Sequence, residues 1–224
     1  MDAPETVLPD PTQREEGELA RSSGTRRAIL EAAMDLLAEE GYANLSAGAV
    51  AKRAGLTRAA LIYHFANRAA LTEAAILYIT RRRIDIYQKA MATVPRDDNF
   101  IARAIDQAWD HLQDRSFAAF CELSTAARTN PELDAVFSPA LLEYDRARRE
   151  TALKLFPESL AERDSFDLRR DLTRFALEGL AQQGVLSFKA QERRRDLLNL
   201  LKLLQTTEEG EALLERVVSE GGKR

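Results

Sequence analysis

The chain has 224 residues, 45% of them apolar and 30% charged, with a net charge of −4 and a single cysteine, Cys121. That length supports a real core, the apolar share argues against wholesale disorder, and no run of about 18 apolar residues is present to span a membrane. One cysteine excludes an intrachain disulfide scaffold and a cysteine-rich metal site, and an acidic, proline-containing start is unlike a secretory signal, so a cytoplasmic location is expected. The charge is unevenly spread: residues 1–20 carry net −5, residues 21–90 net +5 and residues 91–224 net −4. A basic segment inside an acidic chain is the electrostatic footprint that binding to phosphates requires.

Residues 1–22 hold Pro4, Pro9 and Pro11, many acids and no apolar period, and read as a disordered acidic lead-in. Ile29, Ala32, Ala33, Leu36 and Leu37 recur at three- and four-residue spacing and predict a helix from Arg26 to Glu40, closed by Gly41. A short helix follows from Ala47 to about Ala54, capped by Ser46, with Val50 and Ala51 inward. Gly55 breaks it, and Thr57 caps a third helix, Arg58 to about His64, anchored by Leu61 and Phe65. Asn67 caps a long helix to about Met91.

Further helices are expected at Phe100–Gln113, after a cap at Ser116, at Leu133–Phe156 with Pro139 inside, at Phe166–Leu186, at Gln191–Gln205 and around Ala212–Val218. The stretch Pro157–Ser165 reads as a polar connection. Strand signals are nearly absent, so the expected fold is all-α with nine or ten helices.

Two short helices joined by a tight turn at Gly55 form a helix-turn-helix layout over Ser46–Phe65. The first helix braces the second, whose outer side is free to enter a DNA major groove about 12 Å wide. On that layout Arg58, Ala59 and Tyr63 are the candidates nearest to base edges. Arg58 carries the donors for a guanine, and Ala59 allows close approach or contact with a thymine methyl. Ser46, Thr57, His64 and Arg68 complete the candidate DNA-binding set, with Thr57, His64 and Arg68 on phosphates.

The stretch Thr25–Ala74 resembles the DNA-binding domain of the tetracycline-repressor (TetR) family of bacterial transcriptional regulators. The resemblance is carried by Ile29, Ala32, Ala33, Gly41, Ser46, Val50, Ala51, Ala54-Gly55-Leu56-Thr57, Leu61, His64-Phe65 and Leu71. It implies a three-helix DNA-binding domain, here 23–70, and a larger helical ligand-sensing and dimerisation domain, here 71–224. It also implies a homodimer formed by helices 166–186 and 191–205, a palindromic operator, and repression relieved by a small-molecule effector. Ile62 departs from the family pattern: most members place there a tyrosine that contacts phosphate. Leu45, Ala49 and Ala69 also depart, each replacing a usual polar or acidic residue.

Two further expectations come from the residues themselves. Leu197, Leu198, Leu200, Leu201, Leu203 and Leu204 cover more of a helix than one buried stripe needs, which suits a helix packed on its own subunit and on a partner. Trp109, Phe117, Phe120, Cys121, Phe137, Tyr144 and Phe175 are candidate contacts for an apolar or amphipathic effector, with plain core as the alternative reading. No metal or organic cofactor is expected: His64 and His111 are the only histidines and belong to no cluster. No nucleophile elbow, phosphate loop or metal tetrad points to an enzyme. The competing reading is a helical homodimeric adaptor that has lost DNA binding, favoured by Ile62 and the acidic balance.

Overall fold

The computed structural model describes residues 8–13, 20–156, 158–183 and 190–221. Among them are eleven α-helices, one short 3-10 turn and no strand. The helices are α1 (Ala20–Glu40), α2 (Ala47–Arg53), α3 (Arg58–His64), α4 (Arg68–Ala92), α5 (Phe100–His111), α6 (Arg115–Ala127), α7 (Pro131–Leu155), α8 (Glu158–Ala161), α9 (Phe166–Gln183), α10 (Ala190–Thr206) and α11 (Glu208–Gly221). The 3-10 turn, Tyr42–Asn44, follows α1. None of the helices is long and apolar enough to cross a membrane.

The described residues form two compact units. The first holds the residues up to Asp85 together with Asp114–Arg146, and the second holds Ile86–Gln113 with the residues from Ala147 onward. In the first unit a contiguous apolar core joins Ile29, Leu30, Met34 and Leu37 of α1 to Leu61, Leu71, Ile76, Leu123 and Phe137. The period of α1 dictates this: residues three and four apart share a face, and that face packs on α6 and α2. In the second unit α10 packs on α5, α9 and α11.

Several boundaries differ from the sequence expectation. Helix α1 begins at Ala20, six residues early, and runs through Ser22, Ser23 and Gly24. Poor helix formers cost only about 0.5–1 kcal/mol each, so an adjoining packed helix can extend through them. The cap of α6 is Asp114, whose carboxylate accepts the Ser116 N–H at 2.9 Å, while Ser116 lies inside the helix and is 1% exposed. The connection after Phe156 contains the single helical turn α8. Pro131 occupies the first position of α7, where its missing N–H has no partner to lose, and Asn130 caps that end by accepting the Leu133 N–H at 3.2 Å.

Within the lead-in, Leu8–Gln13 forms a turn on the first unit. Asp10 accepts the Thr12 N–H at 2.9 Å and the Thr12 hydroxyl at 2.7 Å, and Arg26 Nε donates to the Pro11 carbonyl at 3.1 Å. Residues 1–7 and 14–19, and the expected continuation of α9 to Leu186, lie outside the described residues.

Candidate nucleic-acid interface

The turn between α2 and α3 follows from one glycine and two caps. At the start of α2, Ser46 Oγ accepts the Ala49 N–H at 3.2 Å. At its end Gly55 takes φ +67°, the left-handed region that glycine enters without steric cost. The chain then reverses: the Gly55 N–H donates to the Lys52 carbonyl at 3.3 Å and the Leu56 N–H to the Ala51 carbonyl at 2.9 Å. These two bonds are the paired closure of a Schellman motif. Thr57 follows in extended conformation, and its Oγ1 accepts the Ala60 N–H at 3.1 Å to start α3. A helix stop and a helix start thus share four residues, which sets the angle between α2 and α3.

Helix α3 has a sealed inner side and an open outer side. Leu61 is 1% exposed and the adjoining Phe65 3%, whereas Tyr63 is 66% and Ile62 44% exposed. Arg58 and Ala59 are exposed beside them. The His64 ring is half-buried and meets the Tyr63 ring edge-on at 5.2 Å between centroids. The structure therefore brings Thr57, Arg58, Ala59, Tyr63 and His64 together on one short helix, and places Ser46 and Arg68 at the starts of α2 and α4.

Residues that no local pattern signals hold this helix in place. Arg26 Nη1 donates to the His64 carbonyl at 2.7 Å, and its guanidinium lies 4.3 Å from the Phe65 ring centroid. A cation at that end of α3 satisfies a last-turn carbonyl and suits the helix dipole. Arg68 Nη2 donates to the Tyr42 carbonyl at 3.0 Å and its guanidinium stacks over the Tyr42 ring at 5.0 Å. Glu122 of α6 in turn accepts the Tyr42 N–H at 2.9 Å. Gly41, at φ +82°, leaves just enough room: a Cβ there would stand 3.0 Å from Glu122 Oε1. Arg53 clamps α2 to α1 through Glu39 at 2.6 Å and Glu40 at 3.0 Å, which accounts for that adjacent acid pair.

The charge of this region follows from its sequence. Residues 41–72 contain Lys52, Arg53, Arg58 and Arg68 and no aspartate or glutamate. An acid-free stretch of this length inside an acidic chain is a further sequence signal that spans Ser46 to Arg68, and it leaves the outer side of α3 without like-charge repulsion toward phosphates.

Helix α4, which leaves the interface, is tied to α6 within the first unit. Arg82 forms a two-pronged pair with Asp114, Nε to Oδ1 at 3.1 Å and Nη2 to Oδ2 at 2.9 Å. Burial acts to raise the Asp114 carboxyl, but hydrogen bonds from Arg82 and Ser116 prevail and hold it well below the usual carboxylate range.

The seven candidate effector contacts separate into two groups. Phe117, Phe120, Phe137, Tyr144 and Cys121 belong to the first unit. There Arg83, itself 1% exposed, lies over the Phe120 and Tyr144 rings at 4.0 and 4.2 Å. Trp109 and Phe175 belong to the second: Trp109 is half-buried beneath Arg194 at 5.3 Å, and Phe175 is 61% exposed. The second unit also has a partly open cavity of about 70 Å3 between α5, α7 and α9, which none of the seven lines.

Comparison with known proteins converges on one kind of molecule. The family model described as bacterial regulatory proteins, tetR family, matches residues 29–75. An uncharacterized HTH-type transcriptional regulator of Mycobacterium tuberculosis is 31% identical over 150 residues, covering 62% of this chain and 77% of the relative. Its Mycobacterium bovis counterpart matches equally. Among solved structures, a transcriptional regulator from Streptomyces coelicolor A3(2) superposes with a TM-score of 0.58 at 25% identity, over 82% of this chain and 99% of that one. A TetR-family regulator from Marinobacter aquaeolei VT8 has the same fold, with a TM-score of 0.55 at 21% identity over 81% and 95% of the two chains.

Proposed function

This chain belongs to the TetR family of bacterial helix-turn-helix transcriptional regulators, which bind DNA and are not catalysts, and we propose that it is a homodimeric repressor released from a palindromic operator by a small molecule. The observation that carries the DNA reading is the division of α3. Leu61 and Phe65 are sealed against the core while Arg58, Ala59, Ile62 and Tyr63 face outward in an acid-free stretch.

In this reading Arg58 and Tyr63 meet base edges. Thr57 contacts phosphate by donating its own O–H, since its oxygen already accepts the Ala60 N–H. Arg68 meets phosphate from the start of α4, where its bond to the Tyr42 carbonyl holds it extended over the Tyr42 ring. Ile62 supplies apolar contact and no hydrogen bond, so the interface makes one phosphate contact fewer than the family pattern.

Selection of bound duplexes from a random pool tests the proposal. The expected product is an inverted repeat with half-site centres about 34–36 Å apart, or a multiple of that. In a salt series, Arg68→Ala is expected to flatten the log–log slope by about one, and Arg58→Ala to change the preferred sequence. No enrichment, or a wild-type selection profile from Arg58→Ala, rejects the assignment.

The dimer reading is supported by α10. Leu197, Leu200 and Leu203 are 46%, 52% and 56% exposed on one side, while Leu201 is 4% exposed on the other. On α9, Phe175 is exposed and Gly179 leaves open space around its Cα. A second copy covering these faces would remove several large apolar side chains from water. Leu200→Asp together with Leu203→Asp is expected to give monomers in sedimentation and to lose the palindrome preference.

A further inference from the structure

The cavity in the second unit is asymmetric in charge. Its wall includes Ile105, Ala108 and Phe166 among its apolar residues, and Arg148, Arg169 and Arg170 as its charged ones. Among the described residues no aspartate or glutamate lines it. Arg148 is 4% and Arg169 7% exposed, so two guanidinium groups are withdrawn from water at one cavity. Burying such a charge is costly unless its donors find acceptors.

Arg169 is held rigidly yet incompletely satisfied. Its Nε donates to Ser165 Oγ at 3.1 Å and its Nη1 to the Gln205 carbonyl at 3.4 Å. Its Nη2 is buried without a hydrogen bond. Glu211 Oε1 stands 3.8 Å away, beyond hydrogen-bond reach, and is itself engaged by Arg163. Burial, with the neighbouring Arg163 adding to it, pushes the Arg169 pKa down from the usual arginine value, although Glu215 opposes the shift. The other acids paired with this arginine group, Asp167 and Asp171 on Arg170 and Glu178 on Arg148, all lie outside the cavity wall.

We propose that this cavity binds a small organic monocarboxylate, its carboxylate on the guanidinium of Arg169 and its tail against Ile105, Ala108 and Phe166. A planar guanidinium in a cavity wall whose described residues include no carboxylate matches a carboxylate in both geometry and charge. An ammonium group would face the three arginines of the wall. The volume sets the size: 70 Å3 is about half of the ~150 Å3 that accommodates benzene, so the tail is a short one, on the order of four carbons. That the ligand then alters operator binding rests on the regulatory reading above, whereas the binding itself does not.

Calorimetric titration of the full chain with butanoate, butanamide and butylamine tests the proposal. Butanamide has the shape of butanoate without its charge. Butanoate is expected to bind at least about tenfold more tightly than butanamide, the ratio that a charge-assisted hydrogen bond supplies, and butylamine not to bind. Arg169→Gln is expected to reduce the butanoate preference to about threefold or less with an unchanged far-ultraviolet spectrum. Ala108→Leu, which fills the cavity and leaves every charge in place, is expected to abolish binding and serves if the first variant does not fold. Equal binding of butanoate and butanamide, undiminished butanoate binding in the folded variants, or no binding of butanoate at millimolar concentration overturns the proposal. Operator titrations separate the two readings. If butanoate binds the cavity and leaves operator affinity unchanged, the effector reading fails and the site stands; if another molecule releases the operator and butanoate does not bind, the site fails and the effector reading stands.

Discussion

Leu30, Met34, Leu37, Leu45, Leu61, Leu71 and Ile76 of the first unit are all at most 1% exposed and belong to one apolar cluster. The second unit instead buries Arg148, Arg169 and Gln205 among its apolar residues around a cavity, and Arg174 away from it. The first unit buries a cation too, but Arg83 is covered by the Phe117, Phe120 and Tyr144 rings. A close-packed apolar interior transmits no slack, so the side chains on α3 keep a fixed angle to the helices behind them. An interior with buried charges and open volume is poised to gain from a ligand that supplies the missing partner.

Substitutions sharpen this contrast. The largest effect is expected at Leu61→Ala, where a cavity behind α3 should cost about 2–5 kcal/mol in denaturant unfolding. A loss below about 1 kcal/mol would show that the inner side of α3 is not close-packed.

Two glycines probe different physics in the two units. A Cβ at Gly210 would stand 2.6 Å from the Leu204 carbonyl oxygen, so Gly210→Ala must push α11 away from the end of α10. That overpacking is expected to cost about 1–3 kcal/mol. Gly55 has open space but φ +67°, so Gly55→Ala is expected to lose about 1–2 kcal/mol through backbone strain alone. Gly55→Asn should lose less, because asparagine enters that region more readily. Equal losses for alanine and asparagine at Gly55 would rule out strain as the cause.

The pair Arg82–Asp114 adds a pH dependence to the first unit. The folded Asp114 pKa is depressed, so its contribution is complete above the unfolded value, about 3.9, and fades as pH falls below it. Asp114→Asn is therefore expected to lose about 1–2 kcal/mol at pH 7 and progressively less below about pH 4. A difference between variant and wild type that stays constant through that range would show that the charge of Asp114 does not carry the loss. The smallest effect on stability is expected at Ile62→Tyr, within about 0.5 kcal/mol because the side chain is exposed. Its operator affinity should nevertheless rise several-fold, by one added hydrogen bond to phosphate.

The interface was more legible in the sequence than the cavity, for reasons that individual residues make plain. Ser46, Thr57 and Asn67 act as caps where their types and spacing indicate, each accepting an N–H three residues on. The start of α1 at Ala20 differs from the sequence expectation because Ser22, Ser23 and Gly24 look like a boundary, yet their helix penalties are small enough for the helix to run through them. Aromatic spacing marked Phe117, Phe120, Phe137 and Tyr144 equally for core and for ligand, since periodicity reports that a face is apolar and not what it faces. The arginines of the cavity carried no signal at all, because an arginine in a helix reads as surface until its surroundings are known.

The amino-acid sequence alone determined the all-helical class, the stop at Gly55 and the start at Thr57, because caps and left-handed glycines act through bonds that span only a few residues. Tertiary structure decided the rest. It supplied the hold of Arg26 on the His64 carbonyl, the tether of Arg68 to Tyr42 and the grip of Glu122 on the Tyr42 N–H, between partners 38, 26 and 80 residues apart. It also decided which arginines lose their water, since desolvation depends on everything packed around a charge and not on its neighbours in the chain.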